Sequence, residues 1–248
     1  MMLNGGEHNR ITLIVLLISL GAWLLPPVGG TTFPAQLANW SLMVLAMMTP
    51  NLIAPVCHIC ARSFRHLRAH LVALFCLGYS VVWIATGSLL LSAADVMACH
   101  QAPAGPAIPQ ASLAAGLVLV LLWQCSPLKQ LCLNRAHSAP NLEAFGVAAY
   151  TSAIRMGLTR GLWCTLTCWP LMALPLLSPH GHHVLMAVIT LVVIGERLDP
   201  PEPLKWKLRI PTSLMKWILG QTRTWLQQPI EGQLLPPTVH HIGTYRIF

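Results

Sequence analysis

The sequence predicts an all-α fold: a polytopic transmembrane helical bundle of about six spans, with the N-terminus and C-terminus inside. Three observations predict it. Of 248 residues, 55% are hydrophobic and only 9% are charged, against about 25% charged in an ordinary soluble domain. The apolar residues gather into six stretches, and the basic residues fall into alternate connections between them.

The stretches cover residues 11–25, 37–55, 71–93, 112–125, 162–177 and 183–194. In hydrocarbon each has to be a helix, because an open strand would leave its backbone groups unpaired. The fourth, fifth and sixth are short for a bilayer core of about 30 Å, which takes about 20 helical residues. They are expected to run past the hydrocarbon or to lie partly inside the bundle. The first follows Arg10 and could pass for a signal peptide, but Pro26 and Pro27 come next and no small-x-small cleavage site follows closely.

Orientation follows from the loops. Arg62, Arg65 and Arg68 lie between the second and third stretches. Lys129, Arg135, Arg155 and Arg160 lie between the fourth and fifth, and Arg197, Lys205, Lys207, Arg209, Lys216 and Arg223 follow the sixth. The other three connections hold no Lys or Arg. Six spans with the N-terminus inside satisfy the positive-inside rule at every loop. The formal net charge of +8 is thus a membrane signature. No nucleic-acid partner is expected, because the basic residues form no single stripe.

The bundle is expected to occupy residues 1–199, and residues 200–248 a cytoplasmic tail. The outer connection 94–110 reads as an ordered turn or short cap. Pro200, Pro201 and Pro203 stop the last helix. Within the tail, 213–226 mixes Leu214, Trp217, Ile218 and Trp225 with Lys216 and Arg223. It suits an amphipathic helix in the inner headgroup layer, or an irregular partner-binding segment.

Candidate ligands are soft. Met43 and Met47 stand four apart in the second stretch, on one helix face, with Met48 beside them and Pro50 breaking the helix just beyond. Cys164 and Cys168 repeat the spacing in the fifth stretch, and Met172 continues that face. Thioethers and thiolates suit Cu(I) and not hard ions; the plainer reading is gap-filling methionines and inert buried thiols. Cys57, Cys60, His66 and His70 give a loose zinc-type set, with a gap shorter than a zinc finger's. Its plainer reading is a basic helix end on lipid phosphates. His182 and His183 could capture a metal at the outer mouth, or be hydrated loop residues. Lys129 is expected to snorkel to the inner interface, Ser126-Pro127 to kink or restart a helix, and Glu196 to make a helix-end polar contact. Of the eight cysteines, several lie inside apolar runs, which excludes a small disulfide scaffold.

Three segments together resemble a family of bacterial integral membrane proteins of unknown function described as predicted metal-binding. Its W-x-x-M-x-x-A-M-M-x-P pattern is matched by Trp40, Met43, Ala46, Met47, Met48 and Pro50. Its Q-x-[ST]-P-L-K-x-x-C-L pattern is matched by Gln124, Ser126, Pro127, Leu128, Lys129, Cys132 and Leu133. Gly157, Gly161, Cys164, Cys168, Trp169, Leu171 and Met172 fit its glycine-rich entry and cysteine cluster, and Glu196 fits the acid ending the final span. The resemblance covers about residues 37–197 and implies a multi-pass protein of the bacterial inner membrane. The chain departs from the pattern where the family's C-x-G-C-C-W reads Cys164-Thr165-Leu166-Thr167-Cys168-Trp169, and where its C-R-x-P falls on Ala136, His137 and Ala139. Two soft ligands are replaced.

Two functions compete. The first is binding or delivery of Cu(I) by Met43, Met47, Met48, Cys164 and Cys168, with Cys132 as a further ligand, copper being the one expected cofactor. The second is an accessory subunit of a larger membrane complex, with a degenerate metal site; its partners would be the lipid bilayer and other membrane subunits. No acid–base pair, nucleophile elbow or phosphate loop points to an enzyme.

Overall fold

The computed structural model describes residues 4–100, 108–137, 142–143, 146–177, 182–201 and 203–206; at 97–100, 108–112 and 177 it is the backbone that is described. The chain among them is helical, in the order α1 (Gly5–Leu24), α2 (Phe33–Met48), a 3-10 turn (Thr49–Leu52), α3 (Ile53–Arg62), α4 (Arg68–His100), α5 (Ile108–Cys125), α6 (Pro127–His137), α7 (Gly146–Leu177) and α8 (His182–Leu198). No strand occurs among the described residues, so the all-α expectation holds.

Local chemistry sets the boundaries. Proline at position 50 lacks the N–H an α-helix needs, and the backbone tightens into the 3-10 turn there. Pro127 opens α6 from the first helical position, where its missing N–H costs nothing, while the Ser126 hydroxyl accepts from the Leu128 N–H at 3.1 Å. The Asn39 side chain receives the Val28 N–H at 2.7 Å and donates to the Val28 carbonyl at 3.0 Å, pinning the link from α1 to α2. Leu204 and Trp206 lie past the end of α8, and between them the Lys205 N–H reaches back to Gln130 Oε1 at 2.8 Å.

A helix stands at each of the six expected places, but the count of spans is corrected. Two helices are long and apolar enough to cross a membrane: Phe33–Arg62, broken at Pro50, and Arg68–Val96. A third is added if Leu113–Cys125 and Pro127–His137, bent by 61° at Ser126, make one broken span. The others fall short for separate reasons. α1 spends its first turns on Gly5, Gly6, Glu7, His8, Asn9 and Arg10. α7 carries Arg155 and Arg160 and is interrupted by Pro170 and Pro175. α8 has 17 residues. The expected outer connection 94–110 is also shortened, because α4 runs on to His100 and α5 starts at Ile108. The expected helix at 213–226 lies outside the described residues.

α4 and α7 form the most extensive pairing. It depends on three glycines. A Cβ on Gly78 would stand 2.6 Å from the Ile154 carbonyl oxygen, one on Gly157 would strike the Phe75 carbonyl oxygen, and one on Gly161 would press on Val82. Small residues let two backbones approach this closely, which is how helices pair where water gives no hydrophobic drive. α1 packs on α2 through Val15, Ser19 and Ala22, with the Ser19 hydroxyl donating to the Ala46 carbonyl at 2.6 Å. Its other faces expose Leu13, Leu17 and Leu20.

Two apolar clusters result. One holds Trp40, Met47, Met48, Trp83, Cys164 and Met172 where α2, α4, α7 and α8 converge. The other holds Val56, Ile59, Leu71, Phe75 and Met156, where α3, α4 and α7 meet toward the 62–68 end.

Candidate metal centre

The first cluster brings the predicted soft residues together from helices more than a hundred positions apart. Met43, Met47 and Met48 reach it from α2, and Cys164, Cys168 and Met172 from α7; all six are buried. Spacing of four on each helix sends the side chains to one face, and the close approach of α7 to α4 leaves that face turned to α2.

Cys164 is the hub. Its Sγ lies 3.9 Å from Met48 Sδ and accepts from the Tyr79 hydroxyl at 3.3 Å. Asn51 Nδ2 also donates to Met48 Sδ, at 3.8 Å. Cys168 lies one turn on, its thiol donating to the Cys164 carbonyl at 3.0 Å. That carbonyl also accepts from the Thr167 hydroxyl at 2.7 Å. Thr167 stands where the resembled pattern has a cysteine, and its side chain is spent on the backbone. Met43 and Met47 belong to the same cluster, but the thioether in contact with Cys164 is that of Met48.

Aromatic rings wall the site. Trp40 packs on Trp83 with centroids 6.2 Å apart, and Tyr79 on Trp83 at 6.5 Å. The Trp40 indole N–H donates to the Trp83 carbonyl at 3.0 Å. It reaches that carbonyl because Gly87 has no side chain; a Cβ there would fall on the indole. Apolar, water-excluding walls around thioether and thiol sulfur suit a monovalent soft ion. Among the described residues no group of three or more His, Cys, Asp or Glu could hold a metal, so a soft site here draws on methionine.

The remaining expected ligands are not gathered. Cys132 is buried on α6, outside the cluster. Cys57 and Cys60 are buried on α3, whereas His66 and His70 are exposed across the turn that follows it; the four do not converge, because the bend at Ser63 turns the histidines outward. Cys57 instead meets His8 of α1, Sγ to Nδ1 at 3.3 Å, a partner no local spacing could indicate. Of the outer pair, His182 Nδ1 lies 3.2 Å from the Pro175 carbonyl and His183 is exposed.

Lys129 does not snorkel. It is buried, ion-paired with Glu196 and donating to Gln124 Oε1, while Gln124 Nε2 donates to Glu196 Oε1 at 2.9 Å. The motif residues Gln124 and Lys129 and the acid of α8 are thus one buried polar group, joining α5, α6 and α8. Glu196 makes a polar contact as expected, but an interior one. Sequence reading named neither Tyr79 nor Asn51 as a site residue, although Gly78-Tyr79 and Trp83 also fit the family resemblance; a hydroxyl on α4 and an amide in the 3-10 turn carry no ligand signal until the partner sulfur is placed.

No curated protein and no solved structure matches the chain. A family model described as "Copper chaperone", PpoB2, matches residues 37–219. That interval begins before Met43 and contains the sulfur cluster of α2 and α7, the Gln124–Lys129–Glu196 group and the glycine contacts of α4 with α7. With most of its length so matched, the chain belongs to the PpoB2 copper-chaperone family.

Proposed function

We propose that this copper chaperone carries Cu(I) inside a helical membrane bundle, with Met48 and Cys164 as the principal ligands and Cys168, Met43 and Met47 around them. The observation that carries the reading is the buried contact of Cys164 Sγ with Met48 Sδ at 3.9 Å, between helices far apart in the sequence. As a copper chaperone the chain is not an enzyme. The ion is its cargo, and soft sulfur in an apolar, aromatic-walled site favours Cu(I) over harder divalent ions. We read the chain as lying in a bacterial inner membrane, with the basic connections and residues 200–248 in the cytoplasm, on the alternation of Lys and Arg.

The test is the metal content of the detergent-purified chain. A soft metal at stoichiometric level, lost in the Cys164→Ser and Met48→Leu variants while both remain folded, supports the reading. A folded, metal-free protein that does not take up Cu(I) under reducing conditions overturns it.

Thr167 favours a second reading, an accessory subunit with a degenerate site, since its hydroxyl is committed to the Cys164 carbonyl where the pattern would supply a third thiol. Stoichiometric co-purification with other membrane subunits, without metal, would distinguish it.

A further inference from the structure

The Cys57–His8 contact lies apart from the Met48–Cys164 centre, in a different part of the bundle. Cys57 is buried on α3, one turn before Cys60, and its Sγ stands 3.3 Å from Nδ1 of His8. His8 belongs to the first turn of α1 and its side chain is exposed. That turn is held in place by the ion pair of its neighbour Glu7 with Arg68, at 3.1 Å, which ties the start of α1 to the start of α4. A thiol and an imidazole from two helices are therefore brought to one point at the 62–68 end of the molecule.

A second observation connects this point to the centre. A cavity of about 920 Å³ lies over α2 and α3 between α1 and α4. Helices α1 and α4 each pack on α2 and α3, which leaves the space between them open. Its lining is apolar apart from a few groups, and it includes three sulfur residues in order along the bundle: Cys60, Cys76 and Met48. Cys60 is the thiol one turn from Cys57; Met48 is the thioether in contact with Cys164. Arg68 closes the cavity at the His8 end.

We propose that His8 and Cys57 form a second, two-coordinate Cu(I) site, which exchanges the ion with the Met48–Cys164 centre along the cavity lined by Cys60, Cys76 and Met48. The proposal rests on the copper reading above for its cargo. Charge selects the ion. One thiolate and one neutral imidazole around a monovalent cation make a neutral unit, which leaves the neighbouring Glu7–Arg68 pair balanced, whereas a divalent ion would add a net positive charge. Binding releases the Cys57 thiol proton to solvent, and copper stays Cu(I) throughout. Taking zinc's bond lengths as a scale, about 2.3 Å to sulfur and about 2.0 Å to nitrogen, a linear ion would set the two atoms about 4.3 Å apart. The exposed His8 side chain can open by the required distance of about 1 Å without disturbing the core.

The experiment is a Cu(I) titration of the full-length chain in detergent, under reductant, against a chromophoric Cu(I) chelator. Wild type takes up a second equivalent beyond the Met48–Cys164 one. Cys57→Ser and His8→Ala each lose that second equivalent and keep the first, and His8→Cys restores it. Because Cys57→Ser is nearly isosteric and His8 is exposed, an unchanged melting curve shows that both variants fold. Uptake unchanged from wild type in both variants overturns the proposal. Should Cys164→Ser bind as wild type does while Cys57→Ser and His8→Ala lose copper, the copper centre assigned above fails and the His8–Cys57 site stands without it.

Discussion

Lys129 and Glu196, 67 positions apart, form an ion pair in the interior where α6 meets α8, and each side chain is 3% exposed. Gln124 holds both, accepting from the ammonium and donating to the carboxylate. The bend at Ser126 is what makes the pairing possible: it turns α6 by 61° from α5, so that Lys129 faces back to Gln124.

Removing one partner of such a pair strands the other charge. Lys129→Met is expected to destabilise the protein by about 3–5 kcal/mol, read as a lowered unfolding midpoint in detergent. The double variant Lys129→Met/Glu196→Gln is expected to recover most of that loss, since a buried pair is often no better than its neutral replacement. A double variant as unstable as the single one would show that the pair itself contributes the stability.

The glycines of the α4–α7 contact should be intolerant of a single methyl. Gly157→Ala places Cβ against the Phe75 carbonyl oxygen, and overpacking of this kind costs about 1–3 kcal/mol. Gly21→Ala on α1 meets nothing within 4 Å and should be neutral, or stabilising by up to about 1 kcal/mol through helix propensity. Thermal unfolding of the two variants side by side checks the contrast.

Tyr79→Phe removes the hydroxyl that donates to Cys164 Sγ but keeps the ring stacked on Phe75 and tilted against Trp83. If Cu(I) is held at Cys164, its affinity should fall by about tenfold, the equivalent of about 1.4 kcal/mol for one hydrogen bond to a charged group. Stability should change little. Asn51→Leu should act in the same direction through Met48. Competition titration against a Cu(I) chelator measures both.

Orientation can be read by labelling. With Arg68–Val96 as a span and the basic connections inside, a cysteine at Arg65 is modified by an impermeant reagent from the cytoplasmic side, and one at Asp95 from the opposite side. Modification of both from one side would remove Arg68–Val96 as a span and, with it, the topology drawn from the alternation of Lys and Arg.

The apolar runs alone determined that the chain is helical and where its helices stand, because backbone pairing in an apolar medium leaves few other options. Spacing alone also put Met43 and Met47 on one face of α2, and Cys164 and Cys168 on one face of α7. It marked Pro50 and Ser126-Pro127 as breaks, since proline's missing N–H acts locally. Tertiary structure decided everything that depended on which faces meet. It chose Met48 over Met43 and Met47 as the neighbour of Cys164, left Cys132 on α6 apart from them, and separated His66 and His70 from Cys57 and Cys60. It drew Lys129 inward to Glu196 when hydropathy alone sent it to the interface, and gave Cys57 a partner in His8. Helical periodicity assigns a residue to a stripe, but the partner of that stripe is set by helix crossing, here through the glycines that let α7 close on α4. A crossing is a property of two surfaces at once and cannot be read from either segment alone.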